Sequence, residues 1–158
     1  MQNGGFSLLE LLLVICIAAI LASIGIQHWK DLQLRNELFT TTKQLAYFLE
    51  EVQTKAYHAN ENVHVYYFLT PWCLSISKGE KPATCQEGTA YFMKPNNSVE
   101  LSDLTDKKAI SFWGRKNMAQ TGTIELHNAV GTTQIIISYR GRIRFCKKNS
   151  YLPGLPQC

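Results

Sequence analysis

The chain has 158 residues, 46% of them hydrophobic and 18% charged, with a formal net charge of +4. That balance excludes wholesale disorder, which needs little apolar surface and much charge, and 10 scattered glycines with 5 prolines exclude a collagenous or low-complexity chain. The length allows one domain with a modest core.

Charge is spread unevenly. Residues 6–26 hold a single charged side chain, Glu10, and all 16 Lys and Arg residues come after them. As a helix this apolar run covers roughly 30 Å, the thickness of a bilayer core. A cleaved secretory signal peptide is the alternative. It calls for a basic start, a shorter apolar core and a small-residue cleavage site. Here residues 1–5 are Met-Gln-Asn-Gly-Gly, and helix-forming sequence continues past Ala22 and Ser23. Glu10 is the anomaly, because a carboxylate inside such a segment costs about 2.5–3.5 kcal/mol on insertion scales. It needs either a cationic partner or a place at the membrane edge from which it reaches the headgroups.

The stretch Gly5-Phe6-Ser7-Leu8-Leu9-Glu10, followed by the apolar run, resembles the type IV prepilin cleavage motif. The resemblance implies that a prepilin peptidase cuts between Gly5 and Phe6 and that the same enzyme N-methylates Phe6. It also implies that Glu10 neutralises the terminal amine of a neighbouring subunit during assembly. A buried carboxylate is tolerable when it is paired in that way. The leader lacks the Lys or Arg usual in prepilins, and the nearest basic residues are Lys30 and Arg35. By the positive-inside bias alone those residues would favour the opposite orientation. No proline stands near Gln27, where many major pilins carry one, which points to a minor pilin or pseudopilin.

Past the apolar run the pattern stays helical. Leu34, Leu38, Leu45, Leu49, Val52 and Ala56 fall on one face of a 3.6-period helix, with Lys30, Asp31, Arg35, Glu37, Lys43, Glu50 and Lys55 on the remainder. No proline occurs before Pro71, so one helix of roughly 80 Å is expected from residue 6 to about residue 58. A coiled coil is the alternative for its second half, and the heptads are too few to prefer it.

From Asn60 the texture turns to β. Strands are expected at 63–69, 73–77, 90–93, 110–113, 123–127, 134–139 and 142–146, separated by turn-forming residues. Arg140-Gly141 reads as a tight hairpin between the last two. Tyr66, Phe68, Trp72, Phe112 and Trp113 are assigned to the core. The expected fold is therefore α+β, a type IV pilin-like lollipop. A long N-terminal helix, half membrane-spanning and half amphipathic, packs on a C-terminal antiparallel β-sheet head. The segments are a leader at 1–5, a transmembrane or filament-core helix at 6–26, an amphipathic half at 27–59 and a β-rich head at 60–158.

Five cysteines divide between these parts. Cys16 lies in the apolar run and reads as a small hydrophobe. Cys73, Cys85, Cys146 and Cys158 lie in the head, and four cysteines allow three connectivities. Proximity favours Cys73–Cys85 and Cys146–Cys158, with Pro153-Gly154-Leu155-Pro156 turning the chain between the second pair. A zinc site wants C-x₂₋₄-C spacing, which neither pair has. An even count implies an oxidising compartment, which places the head in the periplasm of an inner-membrane, single-pass protein.

Catalytic motifs are missing. His28, His58, His64 and His127 lack metal-ligand spacing, and there is no G-x-S-x-G, Walker A or H-E-x-x-H pattern. Neither an enzyme nor a cofactor is expected. One basic stretch remains: Arg140, Arg142, Arg144, Lys147 and Lys148 fall within nine residues. If Arg142 and Arg144 share a strand, they point to one face and can grip phosphates; a charged edge strand guarded against aggregation is the alternative. The Gly141-Arg142-Ile143-Arg144 element also resembles the Gly-Arg-x-Arg element of GspH/FimT-like minor pilins, some of which bind DNA. The resemblance implies a minor pilin or minor pseudopilin of type II secretion that helps prime or cap a filament with other pilins or pseudopilins. A DNA-binding role on such a filament is the second reading.

Overall fold

The computed structural model describes residues 7–104, 109–148 and 152–158. Helix α1 (Leu8–Ala59) runs for 52 residues. The chain forms two compact units, residues 1–33 and residues 34–158.

Among the described residues of the first unit, α1 begins at Leu8. The unit's described side chains from residue 7 to residue 33 are exposed, Leu8 at 79% among them. An 18-residue window there has a mean hydropathy of 2.7, which makes α1 long and apolar enough to cross a membrane.

In the second unit the helix buries Leu38, Leu45, Ala46, Leu49, Val52 and Ala56 in the core. Asn60 ends it in the left-handed region at φ 54°. The Glu61 amide then reaches back to the Ala56 carbonyl at 3.0 Å, the six-to-one bond of a Schellman motif. Asparagine suits this position because its short polar side chain tolerates that conformation better than most residues.

Nine strands follow among the described residues: β1 (Asn62–Leu69), β2 (Trp72–Ser77), β3 (Ala90–Met93), β4 (Glu100–Leu104), β5 (Ala109–Trp113), β6 (Met118–Ala119), β7 (Gly122–Asn128), β8 (Gly131–Ile137) and β9 (Ile143–Lys148). They make two sheets, ordered β3-β2-β1-β5-β6 and β4-β7-β8-β9, and every strand pair within them is antiparallel. Alternate residues face inward: Val63 and Val65 from β1, Ile124 and Leu126 from β7, Ile135 and Ile137 from β8. They join the helix stripe in one hydrophobic cluster. Trp72 is buried there, and its indole N–H donates to the Val99 carbonyl at 2.8 Å.

The structure departs from the sequence reading at three points. β4 and β6 were not expected. β4 carries two acids, and a register shift between Leu101 and Asp103 breaks its alternation; β6 is only two residues long. Tyr66, Phe68 and Trp113 are half-buried rather than core residues, whereas Trp72 and Phe112 are fully inside. The turn at Arg140-Gly141 is a tight hairpin: the Gly141 amide donates to the Ser138 carbonyl at 2.9 Å, and the Ser138 amide donates to the Arg142 carbonyl at 3.0 Å. Within this turn the Tyr139 carbonyl accepts the Ala119 amide at 3.1 Å. Arg142 pairs with Ser138 immediately before β9, which begins at Ile143. Gly141 there has φ 76°, a conformation that favours glycine.

Candidate functional site

Glu10 sits in the first turn of α1. The amides of Glu10 and Leu11 are held by the Ser7 carbonyl at 3.0 and 3.2 Å. A carboxylate near a helix N-terminus is favoured by the helix dipole, so the position suits an acid locally. The neighbouring Leu8, Leu9, Leu11, Leu12 and Leu13 are all exposed, which leaves Glu10 as one charge on an apolar surface. Gly5 and Phe6 lie outside the described residues. Cys16, further along this surface, is a free, exposed thiol.

Disulfides join Cys73 to Cys85 and Cys146 to Cys158, each across a separation of 12 residues. The first ties β2 to the short 3₁₀ turn Cys85–Glu87. The second fastens the C-terminal tail along β9. Leu152 and Leu155 of the tail are buried. The Lys147 amide donates to the Pro156 carbonyl at 2.9 Å, and the Cys158 amide donates to the Lys147 carbonyl at 3.1 Å. The tail therefore occupies the outward-facing backbone groups of Lys147 on the edge strand of its sheet.

The basic stretch divides in two. Lys147 is half-buried, and its ammonium donates to the Leu152 carbonyl at 3.1 Å. Lys148 pairs with Glu125 at 2.9 Å. Both cations thus serve the head's own structure. The Glu125 carboxyl is held below its ordinary range, first by the 2.8 Å hydrogen bond from the Gln134 side-chain amide and then by that from Lys148, against an opposing effect of burial. Arg140, Arg142 and Arg144 are exposed, and none of them bonds to a carboxylate among the described residues. Among those residues no group of three or more His, Cys, Asp or Glu side chains could hold a metal.

A long N-terminal helix followed by an antiparallel β unit is the type IV pilin-like fold. Solved structures share it. This chain is similar to the type IV minor pilin FimU of Pseudomonas aeruginosa strain PAO1, at 14% identity and a TM-score of 0.59 over 73% of this chain and 96% of that one. A second crystal form of FimU gives 13% identity and a TM-score of 0.56 over 72% and 98%. The minor pseudopilin EpsH from the type 2 secretion system of Vibrio cholerae gives 9% identity and a TM-score of 0.55 over 72% and 99%. The sequence matches no family model and no curated protein.

Proposed function

We propose that this chain is a minor type IV pilin or a minor pseudopilin. One observation carries the reading: an exposed apolar helix with a lone carboxylate at Glu10 leads into a head with the pilin-like fold. An apolar surface of that extent needs lipid or sister helices to cover it, and its single acid needs a cation. In this reading residues 1–5 are a leader removed by prepilin peptidase. Phe6 becomes the methylated N-terminus, and its amine is neutralised by Glu10 of an adjacent subunit. Residues 6–26 anchor the chain in the inner membrane and later in the filament core, residues 27–59 form the amphipathic half of the helix, and the head at 60–158 lies in the periplasm. The work is mechanical: the chain joins other minor and major pilins or pseudopilins to prime or cap a filament. Mass spectrometry of the protein from cells with active prepilin peptidase tests this. An N-methylated Phe6 start is expected, and Gly5→Leu should leave the chain uncut; an intact Met1 in the wild-type protein would overturn the reading.

A second reading rests on the exposure of Arg140, Arg142 and Arg144: a head that binds duplex DNA through phosphates, without sequence preference. In detergent-solubilised full-length protein, Arg142→Ala with Arg144→Ala should lower both the affinity and its salt slope. Unchanged binding, or none at low ionic strength, would leave the filament role alone.

A further inference from the structure

The apolar run has two chemically different ends. Glu10 marks the first, and His28, Trp29 and Lys30 mark the second. Between Glu10 and Lys30 lie nineteen residues without an Asp, Glu, Lys or Arg among them, and all belong to α1. At 1.5 Å per residue the helix rises about 30 Å from Glu10 to Lys30, one hydrocarbon thickness. The chain thus spaces its first two charged side chains by the width of a bilayer core.

Trp29 is 70% exposed on the surface of α1, and Ile26 and Leu32, three residues to either side, are exposed with it. Such spacing puts the three on one face of the helix. None of them joins the core cluster of the head. A tryptophan buried in protein needs an acceptor for its N–H, as Trp72 has in the Val99 carbonyl. Trp29 stands outside the core, with its whole ring turned to the surroundings. Beside it Lys30 is exposed and pairs with no carboxylate among the described residues.

Three surroundings compete for this end of the run. Bulk water leaves the large indole ring uncovered. A sister helix covers the ring but sets the adjoining ammonium in apolar company. The headgroup zone of a bilayer suits both: the ring lies against acyl chains, its N–H meets ester oxygens or water, and the lysine stem follows the lipid until the ammonium reaches a phosphate.

We propose that Trp29, backed by Lys30, is an interfacial anchor whose ring lies where the acyl chains of a phospholipid leaflet meet the headgroups. The inference rests on the membrane-spanning part of the filament reading and adds the lipid contact that marks the depth of the helix before assembly. Glu10 then falls at the opposite boundary, one hydrocarbon thickness away.

The test uses the full-length protein reconstituted in vesicles of phosphatidylcholine and phosphatidylglycerol. The phosphatidylcholine carries bromines either close to the headgroup or close to the chain ends, and tryptophan fluorescence is read in the parent and in Trp29→Phe. Shallow bromines should quench the parent more than deep ones. Trp29→Phe should lose that quenching, because the remaining Trp72 and Trp113 belong to the head. Cys16, a free thiol within the run, reports on the span separately. It should resist a charged, membrane-impermeant maleimide in intact vesicles and react once they are dissolved in denaturing detergent. Labelling of Cys16 in intact vesicles would overturn the span, and the anchor with it. A shielded Cys16 with Trp29 unquenched, as on a sister helix or in water, or quenched best by the deep bromines, would overturn the anchor while the span stood.

Discussion

Thr42 on α1 and Thr133 on β8 meet in the core with their hydroxyl oxygens 2.7 Å apart, although 91 residues separate them in sequence. Thr42 gives its only proton to the Leu38 carbonyl at 2.7 Å, so the Thr133 hydroxyl must be the donor to Thr42. Both side chains are fully buried. This buried polar contact ties α1 directly to β8.

Its loss should be asymmetric. Thr42→Val keeps the shape but strands the Thr133 hydroxyl, and is expected to cost about 1–3 kcal/mol. Thr42→Val with Thr133→Val removes both partners and should cost much less than either single change. Denaturant unfolding of the four proteins in one detergent gives the coupling; additive single-mutant losses would show that the pair acts independently.

Glu125 makes stability depend on pH in a defined direction. Its folded-state pKa lies below the ordinary value of 4.5, so its contribution is fully present above that value and is lost as pH falls through the lower, folded one. Glu125→Gln should therefore destabilise the head near neutral pH, and the deficit should shrink in acid. The effect should stay below about 1 kcal/mol, because the partner Lys148 is solvent-accessible. Thermal melts of the two proteins from pH 7 down to pH 3 would reveal it; a deficit that grows in acid contradicts the assignment.

Non-reducing peptide mapping should recover Cys73 linked to Cys85 and Cys146 linked to Cys158, with Cys16 free to alkylate. Replacing Cys146 and Cys158 with serine should cost roughly 2–3 kcal/mol, as expected for short loops in the chain-entropy view. The amide of Lys147 should then exchange faster, since the tail that receives its hydrogen bond is released. A Cys85–Cys146 peptide or protein-bound zinc would contradict this arrangement.

Glu10→Leu separates insertion from assembly. Removing the charge lowers the cost of placing this helix in lipid, so the variant should reach the membrane at least as well as the parent. Crosslinking to partner pilins and the number of filaments should nonetheless fall sharply. Normal assembly by the variant would show that Glu10 merely reaches the headgroups.

Much of the fold is legible in the sequence because it rests on local pattern. Leu38, Leu45, Leu49, Val52 and Ala56 announce the buried helix face at the 3.6-residue period, and all five are in the core. Thr41 and Thr42 on that face are not legible. A threonine is buried only when a partner arrives, and the partners, Asn96 and Thr133, are distant in sequence. β4 and β6 leave no clear pattern because an irregular acidic strand and a two-residue strand depend on their neighbours for their form. The half-burial of Trp113 is hidden as well, because a tryptophan in an apolar run reads as core until the fold sets it beside the exposed Tyr139.

The C-terminal tail along β9 bears on how such heads behave when crowded. An edge strand with open amides and carbonyls invites a foreign strand to add on, and that route ends in disordered aggregates. At Lys147 both backbone groups are already taken by the chain's own last residues, and a covalent bond to Cys158 keeps them in place. An intruding strand cannot register past that point without first displacing a tethered competitor. Crowded copies of the head are thus barred from zipping edge to edge there, and ordered contact between them has to be made through some other surface.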